Sequence, residues 1–203
     1  MPERRDSEDA QDIRRVLAGD ASAFRGLVAR HARRVHDLAR RMLRDGHEAE
    51  DATQQAFLNA FKALERFDLQ RPFRHWLLRI TSNLCRNRIA ARKVRKDLLR
   101  PIGGEDAPIP EPPAPREALD LLTDFAARQD RVRRAIEQLP ERYRLAVVLY
   151  YVHDLPVADV AAIAEAPEAT VKTWLHRGRA ALRGLLSPPG PPETPPPGGG
   201  TEV

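Results

Sequence analysis

The sequence has a single cysteine and none of the long apolar runs that anchor proteins in membranes. Cys85 is the only cysteine, so no disulfide can form within the chain and no cage of several thiolates can hold zinc. No apolar run approaches the ~18 residues of a membrane span, and MPERRDSEDAQD at the start lacks the apolar core of a signal peptide. We therefore expect a cytoplasmic protein without membrane insertion, with Cys85 as a buried structural thiol.

Aromatic residues and lysine are also scarce. Aromatic residues make up 5% of the chain, and only four of the 34 basic residues are lysines, the rest being arginine, in a chain of net charge +5. The guanidinium group presents paired donors that match phosphates and guanine edges, so this balance favours a nucleic-acid partner. A GC-rich genome would raise the Arg content equally well, so charge alone does not decide the function.

Most of the 18 prolines lie in two segments, PIGGEDAPIPEPPAP (101–115) and SPPGPPETPPPGGGTEV (187–203). Such segments cannot maintain a helix or a strand. The first predicts a flexible linker and the second a disordered tail, with a ligand for a proline-binding domain as the alternative for the tail. The predicted division is an N-terminal domain (1–98), a linker (99–125), a C-terminal domain (126–187) and a tail (188–203).

Elsewhere the apolar residues recur at intervals of three and four, which predicts helices and no strand. Three N-terminal helices should run from the N-cap Asp20 to about residue 44, from about 47 to 66, and from Pro72 into the basic run RIAARKVRK. Four more should span about 127–138, 141–151, 157–164 and 168–186, the last two forming a helix-turn-helix. The predicted fold class is all-α, a helical bundle followed by a helix-turn-helix domain.

The last helix, within PEATVKTWLHRGRAAL (167–182), has two different faces. A narrow apolar sector should face the domain core and contains Val171, Leu175, Gly178, Leu182 and Leu186. The opposite side starts with small residues and continues with Lys, Thr, His and Arg, as suits a helix lying in a major groove. The candidate DNA contacts are Glu168, Ala169, Thr170, Lys172, Thr173, His176, Arg177 and Arg183. An ordinary solvated basic face is the alternative, and Trp174 is expected to pack.

The two halves together resemble a bacterial sigma factor of the extracytoplasmic-function (ECF) type. The matching segments are LAGDASAF (17–24), HEAEDATQQAFLNAFKAL (47–64), FRHWLLRITSNLCRNRIAARK (73–93) and LPERYRLAVVLYYVHDLPVADVAAIAEAPEATVKTWLHRGRAALR (139–183). The resemblance implies a subunit that binds core RNA polymerase and directs initiation at promoters by recognising minus-35 and minus-10 elements. It also implies no chemistry and no cofactor, and an anti-sigma protein as a further partner.

In such factors the helix with the D-x-x-Q motif docks on the clamp helices of the largest polymerase subunit, while the flap of the polymerase is a second contact. The motif carries over to Asp51, Gln54, Gln55, Phe57 and Leu58. Asp51, Gln54 and Leu58 also belong to a stripe, with Gln55 and Lys62, that the bundle core does not use. A solvated face is the alternative, but a stripe containing Gln and Leu suits a partner surface better.

The resemblance assigns minus-10 reading and melting to the third helix. The candidate contacts are Phe73, Arg74, His75, Trp76, Arg79, Asn83, Arg86, Asn87 and Lys93. Arg79, Arg86 and Lys93 are seven residues apart, so they could follow a strand backbone. A flipped base would lie near residues 67–73, held by stacking. For Phe73 and Trp76 we favour a core position, and for Asn87 a structural hydrogen bond.

Four residues depart from the family pattern. Gln55 stands where Glu is usual, Glu165 and Ala169 where Gly is common, and Trp174 where Arg is common. A non-glycine residue at a turn position that requires positive φ costs about 1 kcal/mol. At Gln55 the lost charge is expected to weaken polymerase docking without abolishing it. The other three departures concern the sequence preference of the C-terminal module and not its fold.

Two other classes of function compete with this interpretation. A free-standing helix-turn-helix regulator would bind duplex DNA alone, but the N-terminal Gln-rich and aromatic helices argue against it. An enzyme is disfavoured because the sequence has no Gly-rich phosphate loop, no partner for Cys85 and no histidines at metal-ligand spacing, so no metal site is expected.

Overall fold

The computed structural model describes residues 2–98 and 121–187, which contain eight α-helices and no strand. The all-α prediction is therefore confirmed. The helices are α1 (Pro2–Leu17), α2 (Phe24–Leu43), α3 (Gly46–Lys62), α4 (Phe73–Leu98), α5 (Leu121–Gln138), α6 (Glu141–Val147), α7 (Val157–Ala164) and α8 (Glu168–Leu186). A π-helical turn (Val148–Val152) extends α6. The predicted tail (188–203) and most of the predicted linker lie outside the described residues.

The structure differs from the prediction at two helices. The periodicity does not predict α1, because its sequence is mostly polar and only a few apolar residues, among them Ile13 and Val16, face the bundle. Helix α5 begins at Leu121, so the last five residues of the predicted linker (121–125) are helical. In both helices polar and charged residues outnumber apolar ones, which leaves a weak periodic signal.

Side-chain caps precede two elements of the N-terminal bundle, the 3-10 turn before α2 and helix α3. The Asp20 carboxylate accepts a hydrogen bond from the backbone N–H of Ser22 (3.1 Å), so the predicted cap lies on the short 3-10 turn that precedes α2. The Asp45 carboxylate accepts one from the N–H of Glu48 (2.8 Å) and caps α3. Since only residues 44 and 45 separate α2 from α3, the two helices form an antiparallel pair.

Two hydrophobic clusters hold the molecule together. One lies inside the N-terminal bundle and includes Ile13, Leu27, Phe57, Phe73 and Leu77. The other contains the core of α5–α8 and continues into α2, α3 and α4 through residues such as Leu38, Met42, Ala49, Leu78 and Cys85. The bundle α1–α4 is therefore packed on the domain α5–α8, with α7 against α4. We call this the closed arrangement.

A membrane-spanning helix needs a long apolar stretch, and none of the helices in the described parts of the chain provides one.

Candidate nucleic-acid and protein interfaces

Helix α8 presents the two faces that its sequence predicts. Val171, Leu175 and Gly178 are buried, and Leu182 and Leu186 are half-buried. On the other side, seven of the eight candidate DNA contacts are exposed and Thr170 is half-buried. Trp174 packs against the core, as expected. An exposed row of Lys, Thr, His and Arg is therefore available to a duplex along one side of α8.

The position of α8 depends on a close approach to α6 at Gly178. A Cβ atom at Gly178 would lie 2.8 Å from Val147 Cγ2 and 3.6 Å from Tyr143 Cβ, so any larger residue would force Val147 or the two helices to move. Next to it, Arg177 Nη1 donates a hydrogen bond to the hydroxyl of Tyr143 (3.3 Å). Helix α6 thus fixes how closely α8 packs against the domain core, and it orients the Arg177 side chain.

The turn between α7 and α8 contains a residue in the left-handed region. Glu165 has φ 55° and ψ 45°, a conformation that favours glycine. Its carboxylate accepts hydrogen bonds from Arg79 Nε (2.8 Å) and Asn83 Nδ2 (3.4 Å), and Arg79 Nη2 lies 2.6 Å away. Hydrogen bonds from Arg79 and then Asn83 lower the pKa of Glu165. The turn of the C-terminal domain thereby contacts two minus-10 candidates on α4.

The remaining candidates on α4 differ in exposure. Arg79, Arg86, Asn87 and Lys93 are exposed, whereas Arg74, His75, Trp76 and Asn83 are half-buried. Phe73 is 2% exposed, so it belongs to the core, as we favoured from the sequence. For Asn87 the expected structural role toward the apolar side is wrong, because the side chain faces outward.

The loop before α4 borders a cavity of about 140 Å³. Its aromatic wall comprises Phe67 and Phe73, with ring centroids 5.5 Å apart, and the half-buried Trp76 lies 5.0 Å from Phe67. The full lining is Asp9, Ala10, Ile13, Phe67, Leu69, Gln70, Arg71, Pro72 and Phe73. The cavity coincides with the segment 67–73 that sequence reasoning selected, but α1 supplies its other wall.

A buried ionic cluster attaches α1 to α2 beside this cavity. Asp9, 1% exposed, accepts a hydrogen bond from Arg30 Nε (2.8 Å), and its other oxygen lies 2.7 Å from His31 Nε2. Burial favours a raised pKa for Asp9, but the hydrogen bonds from His31 and Arg30 outweigh it and lower the pKa. Sequence reasoning missed Asp9 because its partners lie more than twenty residues away.

Helix α3 carries the candidate polymerase contacts on its outer face. Asp51, Gln54 and Leu58 are exposed, and the half-buried Gln55 donates a hydrogen bond from Nε2 to Asn59 Oδ1 (2.8 Å). Phe57 is only 7% exposed and packs edge-on against Phe24, so its assignment as a surface contact is wrong. The Phe57 ring lies on the inner side of α3, against α2.

The outer face of α3 continues into an apolar groove. Leu58 is 54% and Phe61 43% exposed, which is unusual for large apolar side chains on a surface otherwise rich in charge. The groove is lined by Ala21, Phe24, Arg25, Val28, Ala29 and Phe61. Phe61 was not among the predicted contacts, although its spacing of three from Leu58 places both on one helix face.

The described residues offer no group of three or more His, Cys, Asp or Glu side chains that could hold a metal ion. Cys85 is buried, as expected, and burial raises the pKa of its thiol to about 12. A thiol that remains protonated is a poor nucleophile and a poor metal ligand.

Comparisons with known proteins identify two family profiles in this chain. The family profile described as Sigma-70 region 2 matches residues 27–95, and the profile described as Sigma-70, region 4 matches residues 129–182. The first covers α3 and nearly all of α2 and α4, and the second covers α6, α7, most of α8 and part of α5. The two matched modules therefore contain nearly all the candidate contacts, while Arg183 lies one residue beyond the second match.

Curated relatives match over almost their whole length. The chain is 34% identical to the ECF RNA polymerase sigma factor SigW of Bacillus subtilis over 180 residues, covering 86% of this chain and 94% of the relative. It is 33% identical to the ECF RNA polymerase sigma-E factor of Escherichia coli, covering 87% and 93%. Sigma factors of this kind are not enzymes.

Solved structures show the same fold. CnrH, solved in complex with the cytosolic domain of CnrY, superimposes with a TM-score of 0.63 at 25% identity, covering 88% of this chain and 97% of that one. The sigma factor RpoE from Bartonella quintana, solved with the anti-sigma factor NepR, gives 0.62 at 22% identity, covering 80% and 96%, which supports the fold alone. By its profiles and its relatives, this chain belongs to the sigma-70 family of RNA polymerase sigma factors, in the extracytoplasmic-function group.

Proposed function

We propose that this sigma factor binds core RNA polymerase through the outer face of α3 and recognises promoter DNA through α4 and α8. The observation that carries the proposal is that one chain has two chemically different exposed surfaces. The α3 surface combines Asp51 and Gln54 with exposed Leu58 and Phe61. The α8 surface combines Lys172 and Arg177 with small residues. The first suits a protein partner and the second suits DNA.

The polymerase surface is mixed, as protein interfaces usually are. Exposed Leu58 and Phe61 can be buried by a partner helix, while Asp51 and Gln54 supply hydrogen bonds at its edge. We propose that the clamp helices of the largest polymerase subunit occupy this surface. Phe57 acts from beneath, by fixing the position of α3 against α2.

The minus-35 element is assigned to α8. Its small N-terminal residues allow the helix to approach the groove, and its later Lys, His and Arg side chains reach bases or phosphates. The minus-10 strand is assigned to α4, with Arg79, Arg86 and Lys93 along its backbone. The cavity between α1 and residues 67–73 is proposed to receive a flipped base, stacked beside Phe67.

We propose further features, the first of which is drawn from the relatives. CnrH was solved with the cytosolic domain of CnrY and the Bartonella RpoE with the anti-sigma factor NepR, and an anti-sigma protein is proposed to restrain this chain too. The protein is proposed to act in the cytoplasm, with polymerase and DNA, and to have no catalytic activity of its own. Residues 1–98 and 121–187 are the proposed domain units.

The test is co-elution of the purified chain with bacterial core RNA polymerase, followed by run-off transcription on genomic promoter fragments. A stable complex that starts transcripts at a few sites supports the proposal. Binding to duplex DNA without any polymerase complex would indicate a free-standing regulator instead.

Variants separate the surfaces. Asp51→Ala with Gln54→Ala should weaken polymerase binding, whereas Lys172→Ala or Arg177→Ala should reduce promoter use and leave polymerase binding intact. If both sets reduced polymerase binding equally, the assignment of separate surfaces would be wrong.

A further inference from the structure

The hydroxyl of Tyr143, on α6, holds one of the candidate DNA contacts of α8. Arg177 Nη1 donates a hydrogen bond to the Tyr143 hydroxyl oxygen at 3.3 Å, across 34 residues of sequence. Lys172, Arg177 and Arg183 are the cationic side chains among the candidate contacts of α8, and all three are exposed. Within the described residues, Arg177 is the one of these three whose side chain has a hydrogen-bond partner. Its orientation is therefore set before any DNA binds.

Tyr143 is a rigid support for this bond. The residue is half-buried and packs against the hydrophobic cluster of the C-terminal domain. A Cβ atom at Gly178 would lie 3.6 Å from Tyr143 Cβ and 3.7 Å from the Tyr143 carbonyl oxygen, so α6 and α8 are in close contact at the residue next to Arg177. A tyrosine side chain also has only two rotatable bonds before its ring and hydroxyl. The hydroxyl therefore keeps a defined position relative to the α8 backbone.

The partner of Arg177 is neutral, and this distinguishes it from other paired arginines in the chain. Arg30, Arg41 and Arg79 pair with carboxylates, which offset their charge. No carboxylate of the described residues pairs with Arg177. Because a phenol hydroxyl carries no charge, Tyr143 orients the guanidinium group and leaves its positive charge available to DNA.

The hydrogen bond leaves most of the guanidinium group free. It engages one donor on Nη1, while Nε and Nη2 still present two parallel N–H donors along one edge. This edge matches paired acceptors, either two oxygens of a phosphate group or the O6 and N7 atoms of guanine. A side chain that is already oriented loses less freedom on binding, so its contact contributes more to affinity.

We propose that Tyr143 is a positioning residue for promoter recognition, which directs the free edge of Arg177 toward paired acceptors in the minus-35 DNA. This inference rests on the proposed role of α8 and adds to it a residue of α6 that is not among the predicted contacts. Promoter DNA offers such acceptors on phosphate groups and on guanine. A phosphate contact sets the register of α8 in the groove, whereas a guanine contact selects a base pair.

Tyr143→Phe tests the hydroxyl alone, because the ring that packs beside Gly178 remains. Its holoenzyme with core polymerase should bind promoter fragments about three- to tenfold more weakly than the wild-type holoenzyme, since Arg177 must then be ordered during binding. The fragments are those at which run-off transcripts start, and fluorescence anisotropy measures the affinity. Co-elution with core polymerase should be unchanged. An unchanged promoter affinity, or an equal loss of polymerase binding, overturns the proposal.

The matched control is Tyr150→Phe. Tyr150 is also half-buried, packs against the same hydrophobic cluster and lies in the π-helical turn that extends α6. Its ring contacts Tyr151, and its hydroxyl makes no hydrogen bond within the described residues. Promoter affinity should therefore stay at the wild-type value. Equal losses in the two variants would show that neither hydroxyl acts through α8, which overturns the positioning role.

A double-mutant cycle tests whether Tyr143 acts through Arg177. In an Arg177→Ala background, Tyr143→Phe should have no further effect on promoter affinity, because the hydroxyl no longer has a side chain to orient. If Tyr143→Phe still weakens binding in that background, the hydroxyl acts on DNA or on the fold directly, and the positioning role is wrong.

Promoter fragments with each base pair of the minus-35 region replaced in turn identify the acceptor. A phosphate contact predicts the same fold loss from Tyr143→Phe on every fragment, and a salt slope lower by about one unit in Arg177→Ala. A guanine contact predicts that the loss disappears where one G·C pair is replaced. Both results agree with positioning by Tyr143.

The wild-type chain separates this inference from the proposed function. If it binds no core polymerase or selects no promoter, the proposed function fails and the inference fails with it. If it does both and Tyr143→Phe behaves as wild type, only the positioning role fails.

Discussion

Gly178→Ala should destabilise the protein because α6 and α8 touch at this glycine. The new Cβ would lie 2.8 Å from Val147 Cγ2, whereas ordinary contacts begin at 3.4 Å, so the two helices must separate by several tenths of an ångström. Val147 is 1% exposed and β-branched, so its side chain cannot rotate away. Overpacking of this kind costs about 1–3 kcal/mol, while Ala in place of Gly in a helix returns up to about 1 kcal/mol. We expect a net loss of about 1 kcal/mol.

The same helix contains its own control. Gly184 is exposed, and a Cβ there would meet nothing within 4 Å, so Gly184→Ala should stabilise the protein by up to about 1 kcal/mol. The difference in free energy of unfolding between the two variants isolates the packing cost, because both gain the same helix preference. Urea unfolding of the full chain, followed by far-UV circular dichroism, measures it.

A double variant decides whether Val147 is the cause. Val147→Ala removes the methyl group that the new Cβ would meet, so Gly178→Ala should become neutral or stabilising in that background. If Gly178→Ala and Gly184→Ala were equally stabilising in the wild-type chain, the close approach of α6 and α8 would be refuted. The position of α8 would then need another explanation.

Further predictions concern acid stability, capping and DNA binding. Burial lowers the pKa of His153 to about 4, below the value of 6.5 in the unfolded chain, so the unfolded state binds the proton first. The contribution of neutral His153 to the free energy of unfolding should be fully present above pH 6.5, and up to about 3 kcal/mol of it should be lost as the pH drops to 4. Urea unfolding at several pH values measures this loss, and His153→Asn should abolish it. Asp45→Ala removes the cap of α3 and should cost about 1 kcal/mol, whereas Asp45→Asn should retain most of it. Lys172→Ala should reduce the salt slope of promoter binding by about one unit, and an unchanged slope would show that Lys172 contacts no phosphate.

The helices and their faces could be predicted from the sequence because both depend on neighbours within one or two turns. The apolar sector of α8 appears in the structure as the buried residues Val171, Leu175 and Gly178. Helix α4 starts just after Pro72, and Asp45 precedes α3, as capping preferences require. Whether an apolar residue faces the core or a partner is harder to predict. The motif carried over by resemblance placed Phe57 on the docking surface, yet Phe57 is buried and Phe61 is exposed, because the resemblance indicates which helix docks but not which of its apolar residues face inward.

The sequence alone thus indicated the all-α architecture and the basic face of α8, because both follow from local periodicity, and the resemblance of its four segments to known proteins indicated the family. Tertiary structure alone decided where α1 attaches, because Asp9 meets Arg30 and His31 only when two helices pack. It also decided what Glu165 does. As a sequence feature that residue is an unfavourable substitute for glycine in a turn. Its contact with Arg79, 86 residues away, exists because a shared hydrophobic cluster brings the two domains together.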